Sequence, residues 1–159
     1  MAHAMQKAII GIGIPGAGKT IILKSFAMRN GYAYVSTDDI RAELTGDAAN
    51  QTRNPDVWKL AYQRSSVIIR SRKTLVFDAA FTSLGRRRDF IAWLHKEGIR
   101  RVEGLYVSIP LEIARERNSK RDRTMPDEML ESEYESLMKL PPDIGDGLDA
   151  LFVLNENHE

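Results

Sequence analysis

The segment from Gly13 to Thr20, GIPGAGKT, restricts the fold and the chemistry of this chain more than any other feature. It matches the pattern G-x-x-x-x-G-K-[ST] at every defined position, and the apolar run from Lys7 to Ile14 leads into it. Glycines let such a loop turn tightly, so that successive backbone N–H groups point at phosphate oxygens where the next helix begins. The segment therefore predicts a phosphate-binding loop between a strand and a helix.

The loop residues have separate expected roles in a nucleotide site. Lys19 is expected to neutralise the β- and γ-phosphates, and the Thr20 hydroxyl is expected to bind Mg²⁺. The remaining loop residues are expected to surround the phosphates: Gly13, Pro15, Gly16, Ala17 and Gly18. The predicted cofactors are ATP and Mg²⁺.

A dinucleotide site is the alternative for the same glycines. Gly11 to Gly16 also matches G-x-G-x-x-G, and Asp38 and Asp39 follow about twenty residues later. Lys19 and Thr20 have no role in a dinucleotide turn, whereas they complete a triphosphate site. We therefore favour the triphosphate.

Length and composition predict one soluble domain. A chain of 159 residues with 43% hydrophobic residues can bury one sizeable core but is short for two domains. The sequence has no cysteine, no apolar run of membrane-span length and no secretory leader. We expect a single cytoplasmic domain over residues 1–159 without a membrane partner, and we set residues 1–6 aside as a cloning remnant.

Charge is unevenly distributed along the chain. Residues 1–123 contain 22 Lys and Arg against 12 Asp and Glu, whereas residues 124–159 contain 1 against 10. The basic part is expected to attract a polyanionic ligand. The acidic end either screens that part or simply solvates the C-terminus.

Strand-like and helix-like runs alternate along the chain. Helix signals include Pro110, which opens a helix through a basic run, and Asp127, which opens another after a break near Pro126. The strand-like runs are Lys7 to Ile14, Tyr32 to Ser36, Thr74 to Asp78, Val102 to Ser108 and Ala150 to Leu154. This alternation predicts an α/β fold in three layers, with a parallel sheet of about five strands covered by helices on both faces.

Three carboxylates are expected just past the C-terminal ends of strands, where open parallel sheets bind their ligands: Asp38, Asp39 and Asp78. Asp38 is placed to take the proton of an acceptor hydroxyl, because phosphoryl transfer to an alcohol needs a base there. The alternative is that Ser36, Thr37 and Asp38 only cap a short helix.

Asp78 ends the apolar run from Leu75 to Phe77, like the strand carboxylate that orients Mg²⁺ or the acceptor in phosphate-loop proteins. It is followed by Ala79 and not by the water-activating Glu of motor ATPases. The chain also lacks the Asn-Lys-x-Asp motif that reads guanine. The sequence therefore favours transfer to an acceptor over ATP hydrolysis or a switch GTPase.

Arginines in the helix after the fourth strand are suited to a phosphate clamp. Arg117 and Arg121 are four residues apart, which predicts that both lie on one helix face and bind the transferring γ-phosphoryl group. The alternative for this pair is a solvated helix face, which is the expectation for Arg115 and Arg123.

Two further groups have open roles. The arginines from Arg86 to Arg88 begin a helix, where the macrodipole disfavours cations, and they either bind an acceptor phosphate or face solvent. The aromatic residues Trp58, Tyr62 and Phe81 either stack on a base or pack in the core.

Together these residues resemble the bacteriophage-type polynucleotide 5′-kinases and the small P-loop kinases related to them. Gly13 to Thr20 is similar to their nucleotide loop. Asp38-Asp39-Ile40-Arg41 is similar to a segment of theirs that contains the general base and an arginine on the acceptor phosphate. The segment from Arg117 to Arg121, RNSKR, followed by a helix after Pro126, resembles their lid.

The resemblance implies a three-layer P-loop kinase fold with a helical lid over about residues 115–140. The implied reaction transfers the γ-phosphate of ATP to the 5′-hydroxyl end of DNA or RNA, as in nucleic acid repair. The implied catalytic residues are Asp38, Lys19, Arg117 and Arg121, of which the two arginines also bind ATP. Arg41 and Asp78 are implied to bind the acceptor.

One departure from the family pattern concerns the acceptor. The phage enzymes tend to continue Thr-Asn after the residue that corresponds to Asp78, whereas Ala79 and Ala80 follow here. A small-molecule kinase that acts on a sugar, nucleoside or antibiotic hydroxyl is therefore the second hypothesis. A non-enzymatic module that binds a partner when ATP orders the lid is the third.

Overall fold

The computed structural model describes residues 6–121 and 125–155. One parallel sheet has the strand order β2-β3-β1-β4-β5. Its strands are β1 (Lys7–Ile12), β2 (Ala33–Ser36), β3 (Leu75–Asp78), β4 (Arg101–Ser108) and β5 (Ala150–Asn155). This five-stranded parallel sheet with its helices confirms the predicted α/β fold class.

α-Helices connect consecutive strands. They are α1 (Lys19–Asn30), α2 (Thr37–Thr45), α3 (Asn54–Arg70), α4 (Leu84–Lys96), α5 (Leu111–Ser119) and α6 (Asp127–Lys139). Short 3₁₀ helices cover Gln51–Arg53 and Ile144–Asp146. Within the described ranges, none of the helices is both long and apolar enough to cross a membrane.

The predicted strand bounds differ from the observed ones by one or two residues, and two predicted bounds beside the site were wrong by two residues or more. β1 ends at Ile12 and not at Ile14, because the chain leaves the sheet at Gly13, whose N–H donates to the carbonyl of Ala80 at 3.1 Å. The helix predicted to contain the whole basic run ends at Ser119. Arg123 and the break expected near Thr124 lie outside the described residues.

The centre of the sheet is buried on both faces because its strands are apolar there. In β1, Ala8, Ile10 and Ile12 are fully buried, and β3 is buried at every position. Apolar clusters cover the two faces of the sheet. One of them contains contacting aromatic rings from α3, β3, the segment before α4 and α4: Trp58, Tyr62, Phe77, Phe81, Phe90 and Trp93. Core packing is therefore the role found for Tyr62 and Phe81.

A buried ion pair that the sequence did not predict joins α4 to the segment after α6. The guanidinium of Arg87, which is fully buried, donates to Asp146 at 2.8 Å and to the carbonyls of Phe81 and Leu140 at 2.8 and 2.9 Å. Arg88 donates to the other oxygen of Asp146 at 3.1 Å. Arg87 therefore neither faces solvent nor is free to bind an acceptor phosphate.

Candidate active site

The phosphate-binding loop lies at the carboxyl end of β1 and leads into α1. Gly16 and Gly18 have φ angles of 89° and 88°, which side chains other than glycine rarely allow. A Cβ on Gly16 would also lie 3.1 Å from the carbonyl oxygen of Ala114. α1 begins without a side-chain cap, so its first backbone N–H groups are left to bind a ligand, as in phosphate sites at helix N-termini.

Lys19 and Thr20 meet the carboxylate of Asp78 at the base of this loop. The Lys19 ammonium donates to one Asp78 oxygen at 2.5 Å, and the Thr20 hydroxyl donates to the other at 2.8 Å. The Tyr34 hydroxyl donates to that second oxygen at 2.5 Å. Burial by itself would raise the pKa of Asp78, but the Lys19 charge and these hydrogen bonds lower it below its ordinary value. Asp78 is therefore ionised at neutral pH.

Thr20 and Asp78 fit the predicted magnesium site. Mg²⁺ prefers oxygen ligands and in kinases binds one or two carboxylates together with the substrate phosphates. The Thr20 hydroxyl and the Asp78 carboxylate are such oxygens, adjacent to each other at the start of α1. Of the two roles predicted for Asp78, its contacts favour the one beside Mg²⁺ over the one at the acceptor.

Asp38 and Arg41 form an ion pair on α2. Nη1 of Arg41 donates to Oδ1 of Asp38 at 2.7 Å, and its Nε donates to the Asn54 side chain at 3.0 Å. The Arg41 side chain is 7% exposed and that of Asp38 is 50% exposed. The arginine thus holds Asp38 while leaving its carboxylate accessible. Ser36 is the residue that caps α2, since its hydroxyl accepts from the Asp39 N–H at 3.2 Å.

Arg117 and Arg121 do not lie on one helix. Arg117 is in the last turn of α5, where its Nη1 donates to the carbonyl of Gly16 at 2.9 Å. Arg121 is exposed and lies two residues beyond the end of α5. The buried Asn118 side chain hydrogen-bonds the N–H and the carbonyl of Met125, at 3.0 and 2.8 Å, and so joins the two ends of the segment that contains Arg121.

A cleft of about 820 Å³ joins these groups, a volume typical of small-molecule sites. It is lined by the loop from Gly13 to Thr20, by Asp38 and Arg41, and by Arg117 and Arg121. The structure therefore brings together the predicted site residues around one cleft, with Asp78 beneath the loop. The prediction that the four-residue spacing places Arg117 and Arg121 on one helix face was wrong, but both arginines border the cleft.

Trp58 and Arg86 line the same cleft. The guanidinium carbon of Arg86 lies 4.4 Å from the centroid of the Trp58 ring. Arg87 and Arg88 both pair with Asp146, whereas Arg86 is exposed and makes no ion pair with a described residue. Arg86 is therefore the member of the arginine run that can meet an anion in the cleft.

Glu133 of α6 is a cleft residue that the sequence analysis missed. Its Oε2 atom is enclosed by protein and has no hydrogen-bond partner within the described ranges. Burial, and then the charge of Asp38, raise the pKa of Glu133 to about 7, although Lys19 and Arg41 act in the opposite direction.

Helical spacing was the available signal for Glu133. It lies three residues after Leu130 and four before Leu137, and both leucines are buried. These intervals place the glutamate on the inward face of α6. Glu135 on the same helix is exposed.

The sheet, the loop after β1 and the Lys-Thr pair at the start of α1 define the class of this protein, which is a P-loop protein. The sequence matches the model of a family described as the AAA domain over residues 9–139. The chain belongs to this family. No curated protein sequence matches it significantly.

Solved structures with the same fold include a chain of an RNA repair complex and two sugar kinases. A chain of the Pnkp1/Rnl/Hen1 RNA repair complex has a TM-score of 0.76 and 19% identity, over 87% of this chain and 46% of that one. This chain thus spans about half the length of that relative. A sugar kinase from a Janibacter species has a TM-score of 0.66 and 20% identity, over 97% and 87% of the two chains. A gluconokinase from Sinorhizobium meliloti has a TM-score of 0.62 and 16% identity, over 99% and 86%. The fold is that of the small P-loop kinases, which generally use ATP and Mg²⁺.

Proposed function

We propose that this protein is an ATP-dependent kinase that transfers the γ-phosphate to a hydroxyl group, with the 5′-hydroxyl end of DNA or RNA as the acceptor. The observation that supports a kinase best is the half-exposed Asp38, held by the buried Arg41 in the cleft of the P-loop. Phosphoryl transfer needs a base for the acceptor hydroxyl, a loop that binds the phosphates and arginines that bind the transferred group.

Each of these side chains has a place in the proposed reaction. Asp38 takes the proton of the acceptor hydroxyl while the hydroxyl oxygen forms a bond to the γ-phosphorus. The bond from that phosphorus to the β-phosphate oxygen breaks, and ADP leaves. Lys19 neutralises the phosphates, and Arg117 and Arg121 neutralise the charge on the transferring group. Mg²⁺, held by Thr20 and Asp78 together with the phosphates, would neutralise further phosphate charge.

A nucleic acid acceptor is supported by the composition of the cleft and of the chain. The exposed Arg86 guanidinium, which lies over the Trp58 ring, offers a planar cation at the cleft, and such a group suits a nucleotide base or its phosphate. Arg86 would then join Arg41 at the acceptor phosphate. The excess of basic residues before residue 124 would attract a polyanion.

A small-molecule kinase is the second candidate, and the residues that follow Asp78 favour it. The chain covers 87% of the sugar kinase and 86% of the gluconokinase, but 46% of the RNA repair chain. The fold of this chain therefore matches those two sugar kinases over most of their own length. The missing Thr-Asn after Asp78 agrees with this candidate.

A labelling assay separates these candidates. The protein is incubated with γ-labelled ATP, Mg²⁺ and either 5′-hydroxyl DNA and RNA oligonucleotides or a panel of sugars and nucleosides. We expect labelled 5′ ends, with an oligonucleotide KM that rises steeply with salt because bound phosphates release counterions. Label on the small acceptors alone would replace the first proposal by the second. ATP binding without transfer to any acceptor would support the ATP-gated module.

Variants of the same protein test the role of Asp38. Asp38→Asn should lower the transfer rate by about 10² to 10⁴ with ATP binding retained. Asp89→Asn is the control for the loss of a carboxylate, because Asp89 of α4 is exposed and does not line the cleft, so this variant should keep the wild-type rate. Lys19→Ala should impair ATP binding or turnover directly. Full activity of Asp38→Asn would remove Asp38 from the role of base.

A further inference from the structure

We infer that Glu133 is an acceptor-binding residue, whose carboxylate accepts a hydrogen bond from a neutral donor of the acceptor other than the hydroxyl that is phosphorylated. Sugar hydroxyls and base amines are such donors. This inference rests on the proposed function, because it places an acceptor in the cleft beside Asp38.

Packing of α6 fixes the position of Glu133. Leu130 and Leu137, on either side of it along the helix, are 0% and 2% exposed. Arg115 of α5 also donates to Asp127 and Glu131 of α6, at 2.8 and 2.5 Å. The glutamate is therefore held at the cleft by the core and by the neighbouring helix, and it is not on a loosely packed surface.

The carboxylate of Glu133 lacks the partner that buried carboxylates normally have. Its Oε2 is enclosed, and no described residue donates a hydrogen bond to it. An enclosed polar atom without a partner destabilises the folded protein, and native structures contain few of them. Because Glu133 also lines the cleft, a bound ligand can provide the missing donor.

The charges around Glu133 indicate that this donor is neutral. Asp38 and Arg41 of α2 and Lys19 of α1 act on its carboxylate, and Arg117 and Arg121 line the same cleft. Lys19 pairs with Asp78, and Arg41 pairs with Asp38. Neither Lys19 nor Arg41 forms an ion pair with Glu133, among the residues that the structure describes. The positive charges of the cleft nevertheless disfavour a cationic ligand there. A hydroxyl of the acceptor, or the exocyclic amino group of a base, which is uncharged at neutral pH, meets both conditions.

The inference predicts a pH dependence for acceptor binding. Glu133 has a pKa of about 7, and the ionised form is the better hydrogen-bond acceptor. The acceptor KM of the wild-type protein should therefore fall as the pH rises through about 7. The ATP KM should not share this dependence, because Glu133 is assigned to the acceptor.

Two substitutions separate the charge of Glu133 from its hydrogen bond. Glu133→Leu removes the acceptor atoms and should raise the acceptor KM about 10-fold or more, with little change in the ATP KM. Glu133→Gln keeps an amide oxygen but cannot ionise, so the fall in acceptor KM through about pH 7 should be lost. Glu135→Gln, on the exposed side of the same helix, is the matched control and should behave like the wild type.

The experiment measures both KM values of these proteins from about pH 5.5 to 8.5 with an acceptor that the wild type phosphorylates. Oligonucleotides whose 5′ nucleotide is abasic, or lacks the 2′-hydroxyl, distinguish a base amine from a sugar hydroxyl as the donor. Unchanged acceptor KM values in Glu133→Leu, or a wild-type pH profile in Glu133→Gln, would overturn this inference alone. A wild type that phosphorylates no acceptor would overturn the proposed function and the inference with it.

Discussion

Asp78 and Glu133 show how the surroundings of a single carboxylate set its charge. Burial acts on both residues in the direction of a higher pKa. Asp78 has Lys19 at 2.5 Å and hydroxyl donors on its other oxygen, so its pKa ends below the ordinary value. Glu133 has an enclosed oxygen to which no described residue donates a hydrogen bond, and its pKa is about 7. Residue type alone would have assigned both the same charge.

Glu133 should therefore make the stability of the protein depend on pH. Its folded-state pKa lies above the ordinary value of 4.5, so the folded protein binds this proton more tightly than the unfolded chain. The contribution of Glu133 to the free energy of unfolding should thus fall as the pH rises from about 4.5 to 7 and then stay constant. Glu133→Gln does not titrate there. Its free energy of unfolding should therefore increase relative to that of the wild type as the pH rises over that range, by at most about 3 kcal/mol.

Urea unfolding of both proteins at about pH 5 and pH 8 measures this difference. Glu135→Gln should follow the wild type at both pH values, because its side chain is exposed. Parallel pH dependences of Glu133→Gln and the wild type would contradict the enclosed, ionisable position of Glu133.

At the scale of elements, the attachment of α4 to the segment after α6 depends on the pair Arg87 and Asp146. Both side chains are almost completely buried, and burial would raise the pKa of Asp146. The hydrogen bonds from Arg87, from the Asp143 N–H and from Arg88 outweigh that effect, so the pKa of Asp146 is lowered. Asp146 is therefore ionised in the folded protein, and its charge needs a partner.

Substitution of the two arginines should separate the buried contact from the exposed one. Arg87→Gln removes the buried partner of Asp146 and should lower the free energy of unfolding by about 3–5 kcal/mol. Arg88→Gln removes an exposed arginine that contacts the same carboxylate, and it should lower the free energy of unfolding by about 0–1 kcal/mol. Urea unfolding of both variants is the measurement, and equal losses would show that burial does not determine the contribution of this pair.

At the scale of the whole molecule, binding of the nucleotide should raise the unfolding temperature. A ligand at 100 times its Kd adds about 2.7 kcal/mol to the stability of the folded state. For a chain of this length, that gain raises Tm by about 5–10 °C. ATP with Mg²⁺ should give such a shift in the wild type, since the P-loop forms only in the folded protein.

Thermal unfolding with and without ATP and Mg²⁺ tests this expectation. Lys19→Ala should lose most of the shift, because it removes the cation of the loop. Asp89→Asn should keep the shift, since its exposed side chain lies outside the cleft. A full shift in Lys19→Ala would mean that the nucleotide binds elsewhere on the molecule.

The features that the sequence alone determined depend on residues close together in the chain. The loop from Gly13 to Thr20 is specified by glycines and by an adjacent Lys-Thr pair, and the strands are specified by short apolar runs. Asp38 was located by its position directly after a strand, which in a parallel sheet places it at the ligand-binding edge. Spacing of this kind is visible in a single sequence because the backbone conformation that it requires is local.

Tertiary structure decided the features that depend on residues far apart in the chain. The contacts of Lys19 with Asp78 and of Arg87 with Asp146 each join residues 59 positions apart. No local pattern states which arginine of a run is buried. Helical spacing predicts an inward position for Glu133, but it does not predict that this inward face of α6 meets the cleft. Burial and charge pairing are properties of the folded chain, because they arise only when strands and helices pack against one another.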